Sequence, residues 1–94
     1  MKLELSGKEF TLRADFRAFA AAKSEAGIKL EDIGNDPVDV CTLVYFMARS
    51  GAKHAEVPFK YKLDDFLGLM QVADIPQLTA AINELMGSGE EKKR

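Results

Sequence analysis

The sequence predicts an α+β fold, an N-terminal β-hairpin followed by a mostly helical domain of about four helices around one central apolar helix. Three observations carry that expectation. Residues 2–13 alternate apolar and polar with the period of a strand. Most of the chain after them repeats its apolar residues at helical spacing. One stretch, Asp36 to Gly51, is apolar nearly all round from Val40 to Ala48 except for Thr42, the pattern of a helix packed on several sides.

The hairpin comes first. Leu3 and Leu5 fall on one face and Lys2 and Glu4 on the other; Phe10 and Leu12 then alternate with Glu9, Thr11 and Arg13. A two-residue type II′ turn at Gly7-Lys8 puts glycine where φ must be positive, and its register sets Leu5 opposite Phe10 and Leu3 opposite Leu12. A hairpin of this length is marginal alone, so its apolar face must lie on helices or on a partner. Ala14 to Ala26 reads as the next helix, with Asp15 near its start, Gly27 at its stop, and an apolar stripe of Phe16, Phe19, Ala22 and Ala26. Its run Ala20-Ala21-Ala22 favours helix and close packing. A short turn over Ile28 to Ile33 adds apolar plugs at the base of the core.

Both ends of the central stretch are marked. Asp36 can cap the first turn, Pro37 suits the first helical position, and Gly51 suits a left-handed stop. At about 14 residues it is too short to cross a bilayer, which takes roughly 20. A linker follows over Ala52 to Tyr61, and its second half, with Phe59 and Tyr61, is expected to be extended and partly buried. Leu63 to Ala73 carries a helical stripe of Leu63, Phe66, Leu67 and Met70, with Asp64 and Asp65 favourable in its first turn. Gly68, costly inside a helix, suggests a close backbone approach there. Pro76 to Met86 forms the last helix through Leu78, Ala81, Ile82 and Leu85. Residues 1–87 thus make one domain, and 88–94 a charged, flexible tail.

Composition narrows the function classes. With 47% apolar and 30% charged residues the chain is an ordinary globular one, and its net charge of −2 argues against nucleic-acid binding. Arg13, Arg17, Lys23 and Lys29 could form a basic patch, but Glu25, Glu31 and Asp32 dilute it. One cysteine permits no internal disulfide, and Met1 to Leu5 lacks the apolar run of a signal peptide, so a cytoplasmic location without membrane partners is expected.

No catalytic constellation is present. His54 has no partners at ligand spacing, which leaves it an exposed loop histidine and leaves no metal site. Cys41 lies on the most apolar helix and reads as a buried structural thiol. The pairs Glu31-Asp32 and Asp64-Asp65 diverge by about 100° on a helix, so neither faces a common substrate. No phosphate loop or cofactor motif occurs. The chain is therefore read as a non-enzymatic binding protein without cofactor.

Two features could serve binding. The hairpin has edges able to add a strand from a partner, although it could equally fold onto its own helices. There is also a surplus of apolar positions, with Leu69 and Val72 off the main stripe of their helix and Tyr45 and Ala48 off that of the central one. That surplus suits a groove for an apolar helix or a self-association surface; the hairpin with Phe59 and Tyr61 could also fill it. The candidate partner-binding residues are Leu3, Leu5, Phe10, Leu12, Tyr45, Leu69 and Val72.

The order of elements carries a resemblance. "LSGKEFTLR", "DFRAFAAAKSEAGIKLEDI", "DPVDVCTLVYFMARSGAK" and "KLDDFLGLMQVADIPQLTAAINELMG" together resemble the tail assembly chaperones of long-tailed bacteriophages and prophages, over residues 2 to 87. The resemblance implies a non-enzymatic chaperone in the host cytoplasm. Its implied client is the long, apolar, helical tape measure protein, with tail tube subunits as a second partner. It fixes no binding residue to a position, and a homo-oligomer is compatible with it. The alternative is a generic interaction module, such as an adaptor or an antitoxin-like regulator.

Overall fold

A computed structural model describes residues 2–28 and 36–85. Strands β1 (Lys2–Leu5) and β2 (Lys8–Thr11) form an antiparallel hairpin. Helices α1 (Phe16–Ala26), α2 (Pro37–His54), α3 (Leu63–Leu67) and α4 (Ile75–Leu85) follow, with a 3₁₀ turn at Val72–Asp74 before α4. The fold is α+β, as the alternation and the helical periods require. The expected turn over Ile28 to Ile33 lies, apart from the buried Ile28, outside the described residues, as does the expected tail.

The hairpin keeps its apolar face but not its expected register. Leu3 pairs with Phe10 and Leu5 with Lys8, because the turn is Ser6-Gly7 rather than Gly7-Lys8. Both turn residues have positive φ, +51° and +77°, the pattern of a type I′ turn, whose twist matches that of the strands. Serine seldom adopts that backbone; here its hydroxyl donates to the Leu69 carbonyl at 2.7 Å, a contact 63 residues away in sequence. The register differs by two residues, and only an odd slip would have turned the apolar face outward. Leu3, Leu5, Phe10 and Leu12 are therefore all still buried.

α2 is the post of the fold: α1, β2, α3 and α4 all pack on it. Asp36 caps it, accepting the Val38 N–H at 2.9 Å, and Pro37 opens its first turn. It does not stop at Gly51. The helix continues to His54, and Gly51 is buried inside it, where a Cβ would collide with the carbonyl oxygen of Thr11. The glycine serves a close approach of helix to strand rather than a left-handed stop. His54 is exposed, in the last helical turn rather than in a loop.

α1 begins at Asp15, whose carboxylate accepts the Ala18 N–H at 3.0 Å. Its buried face is Ala18 and Ala22, so small side chains bring it close to α2. The expected stripe is corrected at two positions: Phe16 is 85% exposed and Ala26 is exposed too. The helix turns Ala18 and Ala22 inward, and Phe16 follows the N-cap on another side.

The segment after the extended linker differs most from expectation. α3 ends after one short helix at Leu67, so Leu63 to Ala73 is not continuous. Gly68 caps it, and only carbonyls of α3 itself approach the glycine; no second backbone comes close. Leu69 sits in the following turn and Val72 in the 3₁₀ turn. α4 buries Leu78, Ala81 and Ile82 and half-buries Leu85.

An aromatic cluster joins linker, hairpin and helices. The Phe66 ring, fully buried, meets Phe10 edge-on at 5.0 Å between centroids and Tyr45 at 5.6 Å. Phe59 and Tyr61 from the linker complete it, and the Tyr45 hydroxyl donates to the Tyr61 carbonyl at 3.3 Å. Edge-to-face pairs of this kind add to the burial of area alone.

Candidate functional site

The structure divides the candidate residues sharply. Leu3, Leu5, Phe10, Leu12 and Tyr45 are all buried in the chain's own core, none more than 8% exposed. The hairpin face is therefore not a free surface, because its four apolar side chains close over α2 and the aromatic cluster. On its outer edges the Thr11 carbonyl lies on Gly51 and the Glu4 carbonyl accepts from Gln77 Nε2 at 3.5 Å. Ala48, the other surplus position on α2, is likewise buried. Leu69 is half-buried against the core. Val72 alone of the seven stands out into solvent, 84% exposed.

Val72 borders an open groove of about 310 Å³. One wall is the first turns of α2, with Pro37, Val38 and Cys41; the other is Leu67, Met70, Gln71, Val72 and Ile75. Val38 is 62% exposed, and Cys41, Leu67, Met70 and Ile75 are half-buried. Apart from Gln71 the lining is apolar or a thiol. The groove exists because α3 is short. Its chain turns at Gly68 and re-enters α4 only at Ile75, and the turn between them stands beside α2 without closing over its first turns.

Val38, Cys41, Met70 and Ile75 were not legible as a site. The only sequence signal is Val38 and Cys41, three residues apart at the start of the apolar helix, a spacing that shares one face. The Cys41 thiol is half-buried rather than fully buried. Burial pushes its pKa up, and the nearby Asp74 carboxylate adds to that, so it is a neutral, weakly nucleophilic side chain here. Asp74 itself is held by local hydrogen bonds, accepting the Gln71 N–H at 2.9 Å and Gln77 Nε2 at 3.2 Å.

Two other grooves differ in character. Between α1 and α2, one of about 350 Å³ is lined by Arg17, Arg49, Ser50 and Lys53 with Ala18, Ala21 and Phe46. Arg49 and Ser50 are used internally. Arg49 makes a two-pronged ion pair with Glu25, at 2.8 and 3.3 Å, and stacks over Phe46. That pair holds the Glu25 carboxyl below the usual range. Buried Ser50 donates to Asp15 at 2.9 Å. Along β2, a third groove lies over Ala48, Ala52 and Phe59. Among the described residues no group of three His, Cys, Asp or Glu side chains could hold a metal ion. No described helix is long and apolar enough to cross a membrane.

No family model, no curated protein and no solved structure matches this chain.

Proposed function

We propose that this chain is a non-enzymatic binding domain whose groove between the start of α2 and the α3–α4 turn receives an apolar helix of a client protein. The observation that carries the reading is the pair Val38 and Val72, large apolar side chains left 62% and 84% exposed on facing walls of one apolar groove. A helix lays a stripe of residues at i, i+3, i+4 and i+7 into such a groove, and burial supplies roughly 25 cal/mol per Å² before ordering costs. A long client with many such stripes would be held by many weak contacts acting together.

The resemblance to tail assembly chaperones gives this chemistry a client: the apolar, helical tape measure protein, kept soluble in the host cytoplasm until tail tube subunits assemble around it. Co-expression with the tape measure protein of the same genome tests the reading. The wild-type chain is expected to co-purify with it. The double variant Val38→Asp, Val72→Asp is expected to stay folded by circular dichroism and lose the client. Unchanged co-purification by the folded double variant would remove the groove from the proposal.

A further inference from the structure

Three cations line the groove between α1 and α2, in a chain whose net charge is −2. Arg17 stands on the α1 wall; Arg49 and Lys53, a helical turn apart, stand on the α2 wall. Among the described residues no carboxylate lines it. The space between the walls exists because α1 places alanines there, Ala18 and Ala21, where longer side chains would fill it. The two carboxylates bonded to lining residues are each matched by an arginine, Asp15 by Arg13 at 3.0 Å and Glu25 by Arg49 at 2.8 Å. Arg17 and Lys53 are exposed and form no ion pair among the described residues.

Lys53 has a local reason for its place, because it lies in the last turn of α2, where a cation suits the helix dipole. Arg17 has none. It lies in the first turn of α1, where a cation opposes the dipole, and that turn holds no acidic residue to match it. Its position fits a carboxylate supplied from outside the chain. A compact phosphate is the poorer match. Such an anion is held by the N–H groups of a helix N-terminus, and at α1 the Asp15 carboxylate already takes the Ala18 N–H. Nucleic acid calls for a longer basic stripe than Arg17 and Lys53 provide.

We propose that the α1–α2 groove binds an acidic peptide segment of a partner protein. One carboxylate of the segment pairs with the Arg17 guanidinium and another with Lys53, and an apolar side chain between them lies over Ala21. The site is separate from the client groove and does not depend on that reading. α2 lines the client groove with Pro37, Val38 and Cys41, and this one with residues from Phe46 to Lys53.

Amide NMR titrations of the full chain test this. The probes are an end-blocked peptide of glutamate and leucine, its counterpart with glutamine for glutamate, inorganic phosphate, and an oligothymidylate. The acidic peptide is expected to shift the amides of Arg17, Ala21 and Arg49 saturably, and to bind more weakly as salt is added. The double variant Arg17→Gln, Lys53→Gln, altered only at exposed positions, is expected to keep its circular dichroism and bind about tenfold or more weakly. The control Lys8→Gln, Lys60→Gln loses the same net charge at exposed positions elsewhere and is expected to bind as wild type does. A wild type without saturable shifts overturns the proposal. So does a control that loses as much as the groove variant, since net charge alone would then account for binding. Equal binding of the glutamine peptide, or tighter binding of phosphate or the oligothymidylate at the groove, overturns it as well.

Discussion

The two ends of α2 are built in different ways. Around its C-terminal half α2 makes several close, specific contacts: Gly51 lies on the Thr11 carbonyl, Ser50 is bonded to Asp15, and Ala18 and Ala22 bring α1 against it. Around its N-terminal turn the neighbours stand apart and leave Val38, Cys41 and Val72 lining an open groove. The same helix is thus fixed by close contacts toward one end and lines an apolar groove at the other. Close packing forbids added atoms, because a dense interior must strain to admit them, whereas an open wall tolerates them. Stability should therefore be concentrated at the closely packed contacts and client binding at the open end.

The largest expected effect tests the close contacts. Gly51→Ala adds a methyl group against backbone that cannot rotate away. It should destabilise the fold by about 2 kcal/mol, net of the ~1 kcal/mol that alanine contributes as a better helix former. Denaturant unfolding measures this, and a neutral or stabilising result would mean that β2 and α2 are not in close contact.

A smaller effect probes the polar part of those contacts. Burial raises the Asp15 carboxyl, but hydrogen bonds from the Ala18 N–H, Ser50 and Arg13 outweigh it and hold the pKa below the usual aspartate range. A carboxylate so lowered contributes stability above its unfolded pKa of roughly 3.9 and loses it as pH falls through the folded value. Asp15→Ala removes the cap and leaves buried Ser50 without its acceptor, so it should cost about 2 kcal/mol at neutral pH. The deficit should shrink as the wild type is taken below about pH 4. Unfolding curves at both pH values check the sign, and a deficit that grows in acid would contradict it.

The smallest effect belongs to the open end. Val72→Asp, at an 84% exposed position, should change stability by less than about 0.5 kcal/mol. A larger loss would show that Val72 is part of the core, and the contrast between the two ends would fail.

The candidate site was legible only in part. Leu69 and Val72 stood out because they broke a helical stripe, yet no single helix exists there for them to break. Val72 reached the groove, while the Leu69 side chain went to the core and its carbonyl to Ser6. Tyr45 was surplus only until Phe59 and Tyr61 arrived from a linker whose path no local pattern specifies. Phe16 sat on a plausible stripe, and its exposure followed from which face of α1 met α2.

Sequence alone determined what nearest neighbours decide. The alternation of Leu3, Leu5, Phe10 and Leu12 set the inward face, Asp36-Pro37 started α2, Gly27 closed α1, and the apolar run from Val40 to Ala48 made α2 the post. These follow from side-chain period and backbone preference over a few residues. Tertiary structure decided the rest. It set the hairpin register through Ser6 and Leu69, carried α2 through Gly51, and ended α3 after Leu67. The first two involve contacts between segments far apart in the chain, Ser6 with Leu69 and Thr11 with Gly51, which leave no periodic mark on the residues that make them; the end of α3 is a local stop at Gly68 that the helical stripe hid.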